Sequence, residues 1–387
     1  MSDQIYLSPP HMGTLELQYV EQAFASNWLA PVGPHLDQFE KELCTYVDQS
    51  AALALNSGTS ALHMALKLAD IRPGDYVLCS SLTFAASANP IVYQGGIPVF
   101  VDCEPESWNM SPDALQAACE MVLNLGHRPK AVVIVHLYGH SARMDELMKI
   151  CEHYELIVIE DAAEALGTKY KGRSCGTMGR FGIYSFNGNK LITTTAGGML
   201  VSANKEDIEK AKYWATQAKS PRPYYHHIEI GFNYRMSNVL AGIGRGQLAV
   251  IESRIQARRS IHQRYKQSLA NIPGVQFLDE SQDERATHWL SVVLLDREVT
   301  GVTPEEMMAA LAEDHIESRR VWKPLHMQPV YQDCLYVPHH REFSVSEKWF
   351  KEGLCLPSGS CLSAEEQERV IERIYTRLQA RSSVIHS

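Results

Sequence analysis

The sequence lacks the features that mark membrane, secreted and disulfide-rich proteins. No apolar stretch approaches the length of a membrane span, and residues 1–10 contain neither the basic nor the apolar region of a secretory signal. The nine cysteines are scattered, odd in number and never spaced as C-x-x-C, which disfavours a disulfide framework and a structural zinc site. These absences predict a protein of the reducing cytoplasm that binds no membrane and no metal.

The sequence also lacks an excess or a concentration of positive charge. The 387 residues include 36 lysines and arginines against 45 aspartates and glutamates, for a net charge of −9, and the basic residues form no block. Because nucleic-acid binding needs a basic patch, a nucleic acid is disfavoured as the partner. A small anionic ligand needs only a few local donors and remains compatible with this composition.

Short apolar runs alternate with helical patterns from about residue 50 to residue 205. Several runs are apolar without alternation, as expected for strands buried on both faces. The seven predicted strands are Ala51–Leu55, Tyr76–Cys79, Pro98–Val101, Ala131–His136, Leu156–Glu160, Gly182–Phe186 and Gly198–Ser202. The pattern predicts an α/β fold with a large, mostly parallel seven-stranded sheet flanked by helices.

The pattern divides the chain into three regions. Residues 1–30 are expected to form an arm with a helix that packs on the large domain, residues 31–250 the large α/β domain, and residues 251–387 a smaller C-terminal α+β domain. A helix is predicted from Leu240 to about Leu269, and glycines near its start indicate close backbone packing. Those glycines are Gly242, Gly244 and Gly246. Other predicted elements are a helix near Thr14–Ser26, a strand at Thr287–Leu295, and helices at Pro304–Glu313 and Ala364–Leu378.

The first motif that carries chemistry follows the first predicted strand. Ser57, Gly58, Thr59 and Ser60 form a turn that leads into a helical segment. Hydroxyl groups in such a turn cap the helix, and a glycine lets the backbone approach a ligand closely. The N–H groups and the dipole at the helix start then attract a phosphate. A capped helix with nothing bound fits the same pattern, and this motif alone does not decide between the two.

The second motif ends the fifth predicted strand with Glu160 and Asp161. In an open α/β sheet, ligands bind beyond the carboxyl ends of the strands. An aspartate there can bind a metal, a ribose or a protonated pyridine nitrogen. A metal ranks lowest, because no histidine or carboxylate cluster with metal spacing accompanies Asp161. An aspartate that only caps the following helix is the alternative without a ligand.

The third motif surrounds Lys190, which lies between two predicted strands in a segment rich in Gly, Asn and Thr. A buried lysine is costly unless it is paired or used as an amine. One cofactor would use all three motifs. Its phosphate would bind the helix start and Ser185, its pyridine nitrogen would bind Asp161, and its aldehyde would bind Lys190.

The order of these motifs resembles a known family. Ser57–Thr59, Glu160–Glu164 and Ser185–Lys190 are similar to the fold-type I sugar aminotransferases of the DegT/DnrJ/EryC1/StrS family, which depend on pyridoxal 5′-phosphate (PLP). The resemblance covers nearly the whole chain and includes Gly231–Ser237 and Cys355–Pro357. It implies an aminotransferase with PLP as its cofactor.

Further segments are similar to one branch of that family. They are Asn27–Pro34, Ser80–Pro90, Trp108–Ser111 and Phe186–Lys190. The branch transfers an amino group, usually from L-glutamate, to C4 of a UDP-linked 4-keto-6-deoxy-N-acetylhexosamine, on the route to bacillosamine-type sugars. The resemblance therefore implies a UDP-4-amino sugar for surface glycan or glycoprotein synthesis as the product.

Other functions stay open at this stage. The first alternative is amination at C3 or C4 of a dTDP- or GDP-linked keto-deoxysugar. A PLP-dependent sugar dehydratase or a regulatory relative is less favoured, because the dehydratases replace the lysine with histidine and this chain keeps Lys190. A nicotinamide-binding enzyme is disfavoured, because no G-x-G-x-x-G follows the first strand.

The resemblance also implies a role for each matched residue. Lys190 would bind PLP as a Schiff base and act in catalysis with Asp161, which would pair with the ring nitrogen. Phe84 would stack on the ring and Glu164 would lie near the ring hydroxyl. The implied phosphate contacts are Gly58, Thr59, Ser60, Ser185 and, from the neighbouring subunit, Asn233. The enzyme would therefore be a homodimer with active sites shared across the interface.

The diphosphate, sugar and base of the substrate should meet basic and aromatic side chains. The predicted substrate contacts are Trp28, Arg235, Arg319, Trp322 and His326, and Arg320 and Lys323 are further candidates for the diphosphate.

Overall fold

The structure, a computed structural model, describes residues 4–385, and residues 380–385 are described by backbone only. The helices are α1 (Leu15–Ala25), α2 (Pro34–Val47), α3 (Gly58–Leu68), α4 (Asn89–Tyr93), α5 (Pro112–Asn124), α6 (Met144–His153), α7 (Lys205–Ala215), α8 (Asn238–Ala249), α9 (Ile251–Leu269), α10 (Arg297–Thr300), α11 (Pro304–Glu313), α12 (Val345–Glu352) and α13 (Ala364–Ile385).

The strands of the described residues are β1 (Ala51–Leu55), β2 (Tyr76–Ser80), β3 (Ile97–Val101), β4 (Pro129–Val135), β5 (Ile157–Asp161), β6 (Lys169–Tyr170), β7 (Arg173–Ser174), β8 (Phe181–Ser185), β9 (Gly198–Ser202), β10 (Val275–Phe277), β11 (Glu284–Arg285), β12 (Ser291–Leu295), β13 (Arg319–Arg320), β14 (Leu335–Val337) and β15 (Gly353–Leu356).

The main sheet contains all seven predicted strands and one more. Its order is β1-β9-β8-β5-β4-β2-β3-β14, and β9 pairs antiparallel with β1 and β8 while the other pairs are parallel. The prediction of seven strands is therefore wrong by one. The eighth strand, β14, pairs with β3 although it comes from the region predicted to be the small domain. It has only three residues, which is too short to produce a recognisable periodicity.

The parallel order of the sheet collects the predicted motifs at one edge. The carboxyl ends of β5 and β8 lie next to each other, because Asp161 of β5 is in register with Ile183 of β8. The turn that begins α3 follows the carboxyl end of β1, and the segment that leads into β9 reaches the same edge because β9 runs in the opposite direction. This edge is where ligands bind in open α/β folds.

The N-terminal helix α1 packs against α8 at two of the glycines for which close backbone packing is predicted. A Cβ atom at Gly246 would lie 2.8 Å from the backbone nitrogen of Glu16, and one at Gly242 would lie 3.2 Å from the Cβ of Tyr19. A side chain at Gly246 would therefore collide with the backbone of α1. The long helix predicted from Leu240 is instead two helices, because the chain leaves the helical conformation at Val250 (φ −113°, ψ 9°).

The C-terminal part of the chain forms a second sheet of four antiparallel strands, in the order β10-β12-β15-β13. Apolar residues of α9, α11 and α13 form one hydrophobic cluster with this sheet. The helix predicted at Pro304–Glu313 has those bounds in the structure. The predicted strand Thr287–Leu295 begins only at Ser291, because His288 adopts a left-handed conformation (φ 49°) that interrupts an extended chain.

Three buried histidines connect the loop after β4 to the C-terminal part of the chain. The Nδ1 atom of His140 lies 2.7 Å from Oε1 of Glu284, and its Nε2 atom lies 3.1 Å from Nδ1 of His288. The ring of His262, on α9, stacks on His288 with 3.8 Å between the ring centroids. Burial lowers the pKa of His262 to about 3 and also lowers the pKa of His288, with the neighbouring histidines and Arg259 acting in the same direction.

We expect the His262→Phe variant to lose less stability in mild acid than the wild type. The pKa of His262 is lower in the folded protein than its ordinary value of 6.5. The unfolded chain therefore binds more protons below pH 6.5, and each pH unit costs the folded state about 1.4 kcal/mol per such histidine. Phenylalanine keeps an aromatic ring in the stack, and because it does not bind a proton it removes this pH-dependent loss of stability.

The measurement is the free energy of unfolding at pH 7.5, 6.5 and 5.5. The exposed His153 at the end of α6 supplies the matched control, His153→Phe, for which we expect the wild-type pH dependence. Parallel pH curves for wild type and His262→Phe would contradict the prediction.

Within the described range, none of the helices combines the length and the apolarity needed to cross a bilayer. The same residues include no group of three or more histidine, cysteine, aspartate or glutamate side chains that could hold a metal ion.

Candidate functional site

A cavity of about 370 Å³ lies at the carboxyl edge of the main sheet. Residues of all three motifs line it, together with the turn after β2 and side chains from the C-terminal part of the chain. The first and third motifs are more than a hundred residues apart along the chain, and the mostly parallel sheet brings them together.

Lys190 reaches the cavity from the turn between β8 and β9. Its Nζ atom lies 3.6 Å from Oε1 of Glu164 and 4.0 Å from the centroid of the Trp289 ring. The Lys190 side chain is 13% exposed, so the carboxyl group and the aromatic face stabilise a cation that has lost most of its water. Trp289 also donates a hydrogen bond from Nε1 to the backbone oxygen of Asn189, at 2.8 Å. It therefore positions the turn that carries the lysine, a contact that sequence reasoning missed.

The two acids that end β5 point to opposite faces of the sheet, as alternating residues of a strand do. Asp161 lines the cavity. Glu160 is fully buried and accepts hydrogen bonds from His136 and from the backbone N–H groups of Gly176 and Gly179. Burial alone would raise the pKa of Glu160, but these donors hold it below its usual value. Glu160 is therefore a structural carboxylate, and His136 is a buried histidine whose hydrogen-bond partners belong to the protein itself.

The Asp161 carboxylate is held by two donors. Its Oδ2 atom accepts a hydrogen bond from the Ser87 hydroxyl at 2.7 Å, and its Oδ1 atom accepts one from the backbone N–H of Ala163 at 3.1 Å. The side chain remains a lining group of the cavity, so the carboxylate is fixed in place and still available to a ligand.

The start of α3 forms another part of the cavity wall. The Ser57 hydroxyl caps the helix by accepting the N–H of Ser60 at 3.0 Å, and Ser57, Gly58, Thr59 and Ser185 line the cavity. A Cβ atom on Gly58 would lie 3.2 Å from the Cβ of Ser185, so the two segments touch here. The hydroxyl of Ser60 instead donates to Oδ1 of Asn56 at 2.6 Å and does not line the cavity.

Aromatic rings also line the cavity. Phe84, which is 53% exposed, lines the cavity and lies 5.2 Å from Trp322 between ring centroids. Trp322 and Tyr138 are nearly parallel and together hold Glu164: Nε1 of Trp322 donates to one carboxyl oxygen at 3.2 Å and the backbone N–H of Tyr138 donates to the other at 2.9 Å. Burial raises the pKa of Glu164, and Lys190 opposes that shift.

The predicted substrate contacts divide into two groups. Arg319 and Trp322 line the cavity, and their contact with a substrate stays a prediction. Arg235 does not: it is buried beside β1 and bonds to Oε1 of Glu40 at 2.6 Å and to the oxygen of Ala54 at 2.9 Å. This ion pair spans 195 positions in sequence, so no local pattern could reveal it.

The other candidates also lie away from this cavity. His326 bonds to Ser81 and Glu347, at 2.7 and 3.2 Å, and Arg320 pairs with Glu305. Trp28 and Asn233 are exposed and lie outside the cavity of their own chain. The structure does not place Lys323 among the residues that line it either.

The comparisons with known proteins agree with this geometry. A model of the DegT/DnrJ/EryC1/StrS aminotransferase family matches residues 10–375. EpsN of Bacillus subtilis (strain 168), whose name assigns it to the pyridoxal phosphate-dependent aminotransferases, is 51% identical over 372 residues, covering 96% of this chain and 95% of EpsN. GDP-perosamine synthase of Escherichia coli O157:H7 is 35% identical over 365 residues, covering 94% of this chain and 96% of that enzyme. The PLP form of Spr1654 from Streptococcus pneumoniae has a TM-score of 0.87 at 25% identity, covering 97% of this chain and 99% of that chain.

The residues around the cavity fit PLP. Hydroxyl and N–H groups at a helix start suit its phosphate, the Asp161 carboxylate suits a protonated ring nitrogen, and the Lys190 amine suits its aldehyde. The predictions of PLP as cofactor and of a fold-type I architecture are confirmed by the family match and by a fold shared with a relative solved in its PLP form. The chain therefore belongs to the DegT/DnrJ/EryC1/StrS aminotransferase family.

Proposed function

We propose that this enzyme transfers the amino group of L-glutamate to the ketone of a nucleotide-linked sugar. The finer proposal is C4 of a UDP-linked 4-keto-6-deoxy-N-acetylhexosamine, which gives a UDP-4-amino sugar for a surface glycan or glycoprotein. One observation carries the proposal: Lys190 and Asp161 line the same cavity as Arg319 and Trp322, a cationic and an aromatic side chain that suit an anionic sugar nucleotide. The relationship to GDP-perosamine synthase supports a nucleotide sugar and keeps a GDP-linked substrate as the alternative.

The residues of the site have distinct tasks in such a transfer. PLP, when bound, supplies an aldehyde that bonds to amines and a ring that accepts electrons. Lys190 would hold the cofactor through its amine, and its free Nζ would act as the base and acid that moves the proton of the donor's Cα. The Asp161 carboxylate would accept a charge-assisted hydrogen bond from the ring nitrogen. Phe84 and Trp322 would keep water from the reacting atoms.

The decisive experiment offers the purified enzyme L-glutamate with a panel of UDP-, dTDP- and GDP-linked keto-sugars. We expect 2-oxoglutarate to form fastest with the UDP-linked 4-keto-6-deoxy-N-acetylhexosamine, and NMR of the product to place the amine at C4. A faster reaction with a dTDP- or GDP-sugar would reassign the substrate. If glutamate fails to bleach the yellow holoenzyme and no keto-sugar is aminated, the enzyme is not a transaminase.

The structure yields a contrast between two predicted phosphate contacts. Ser185 lines the cavity, whereas the hydroxyl of Ser60 is bonded to Asn56. We expect Ser185→Ala to raise the dissociation constant of PLP about tenfold, the equivalent of one hydrogen bond to a charged group. Ser60→Ala is the matched control, and its dissociation constant for PLP should stay within about threefold of the wild-type value. Equilibrium dialysis with PLP measures both, and equal losses in the two variants would contradict this assignment.

We also propose that the enzyme is a homodimer in which Asn233 serves the partner's site. Asn233 is exposed and lies outside the cavity of its own chain. The segment before it carries four apolar side chains that are 62 to 82% exposed. They are Tyr224, Tyr225, Ile228 and Ile230. A cluster of that kind is typical of a surface covered by another protein, and a second copy of the chain would bring Asn233 along with it.

Mixed dimers test this arrangement. Asn233→Ala and Lys190→Ala homodimers should each show a large loss of activity. When the two variants are unfolded and refolded together, each mixed dimer should regain one complete site, because Lys190 comes from one subunit and Asn233 from the other. We expect about a quarter of wild-type activity from a statistical mixture, since half of the dimers are mixed and each has one working site. No recovery would mean that Asn233 acts within its own chain or not at the active site.

A further inference from the structure

The turn between β2 and α4 contributes a chain of buried hydroxyl groups to the site. Ser87 is 1% exposed and Thr83 is 3% exposed. The Thr83 hydroxyl lies 2.9 Å from the Ser87 hydroxyl, which donates to Oδ2 of Asp161 at 2.7 Å. Neither hydroxyl appears among the residues that the sequence motifs single out for the cofactor.

The direction of this chain follows from its last member. An ionised carboxylate can only accept hydrogen bonds, so the proton of the Ser87 hydroxyl must point at Asp161. The Ser87 oxygen is then the acceptor, and the Thr83 hydroxyl must donate to it. Aligned hydroxyls polarise one another in a buried environment, so the pair stabilises negative charge on Asp161 more than Ser87 alone would.

We propose that Ser87, backed by Thr83, is a positioning residue that holds the Asp161 carboxylate in the orientation in which it would meet the ring nitrogen of PLP. The proposal rests on the proposed role of Asp161. With a donor on each oxygen, the carboxylate cannot rotate freely and is held ready to pair with a positively charged ring nitrogen. The same short turn also carries Phe84, which faces the cavity, so one segment positions both an aromatic ring of the cavity and the acid.

The test compares Ser87→Ala with a matched control, Ser81→Ala. Ser81 is equally buried in the same segment, but its hydroxyl lies 2.7 Å from His326 rather than near Asp161. Holoenzyme spectra are recorded as a function of pH, and kcat and KM are measured for L-glutamate. Ser87→Thr keeps the hydroxyl, and Thr83→Val removes only the first member of the chain without changing side-chain shape.

We expect Ser87→Ala to lower kcat about tenfold while KM for L-glutamate changes less than about threefold. The pH midpoint of the visible band should rise by about half a unit or more, because a ring nitrogen with less positive charge leaves the Lys190 nitrogen more basic. Thr83→Val should shift kcat and the pH midpoint in the same directions by smaller amounts. Ser87→Thr should restore most of the kcat that Ser87→Ala loses. Ser81→Ala should leave the pH midpoint unchanged.

Two kinds of failure are distinguishable. A wild-type holoenzyme without a visible band would refute the proposed function itself. A normal wild-type band together with a Ser87→Ala variant that keeps the wild-type midpoint and kcat would overturn only the role of Ser87. That role is also overturned if Ser81→Ala shifts the midpoint as far as Ser87→Ala does. If Ser87→Ala does not fold, Thr83→Val takes its place, and an unchanged midpoint in that variant overturns the role.

Discussion

Replacing Lys190 by alanine is expected to lower turnover by about four orders of magnitude or more while the protein stays folded. The amine performs two tasks, covalent attachment of the cofactor and proton transfer at the reacting carbon. Loss of either task lowers the turnover rate by a large factor. Alanine also leaves Glu164 without the cation that lies 3.6 Å from it. Because burial already raises the pKa of Glu164, that carboxyl can take up a proton instead of remaining as an unpaired buried charge.

Steady-state assays with L-glutamate and the keto-sugar measure the loss, and circular dichroism checks the fold. Lys205→Ala is the matched control, since Lys205 is an exposed lysine at the start of α7; it should keep wild-type activity. Reduction of the wild-type holoenzyme with borohydride should label one peptide, the one that contains Lys190. Full activity of Lys190→Ala, or a label on another lysine, would remove this residue from the mechanism.

The second large effect concerns Asp161. We expect Asp161→Asn to reduce kcat by about three orders of magnitude, because asparagine has the same shape but no charge to hold the ring nitrogen in its protonated form. The exchange also disturbs the donor from Ser87, which at present points at a carboxylate oxygen 2.7 Å away. The amide of the variant can turn its NH₂ group either toward Ser87 or toward the cavity, and neither arrangement restores a negative charge.

The half-reaction with L-glutamate, followed as loss of the visible band, separates this effect from substrate binding. The control is Asp113→Asn, at an exposed position in the first turn of α5. It should react with L-glutamate at the wild-type rate. A near-wild-type rate for Asp161→Asn would show that the ring nitrogen needs no anionic partner in this enzyme.

That these two residues line the same cavity was predictable for a common reason. Each stands at a boundary between elements, Asp161 at the end of β5 and Lys190 between β8 and β9. Such boundaries are visible in sequence as apolar runs that stop at polar residues. A mostly parallel sheet then brings the strand ends to one edge whatever the details of packing. The start of α3 belongs to the same class, since its turn and cap are encoded within four consecutive residues.

Contacts between distant segments were not predictable in this way. Trp289, which faces Lys190, is about a hundred positions away from it, and Ser87 is 74 positions from Asp161. Arg235 lies in a segment that resembles the family and is predicted to contact the substrate, yet it is bonded to Glu40. The local sequence around an arginine does not predict which carboxylate will pair with it in the folded protein.

The sequence by itself thus determined the class of fold and the cofactor, and it predicted which motifs meet at the cavity, because those features depend on local periodicity and on the chemistry of consecutive residues. The tertiary structure alone decided that an eighth strand from residues 335–337 completes the sheet, that Ser60 turns its hydroxyl away from the cavity, and that hydroxyls of Thr83 and Ser87 support Asp161. The physical reason is that such contacts arise from the packing of segments far apart in the chain, which no local pattern records.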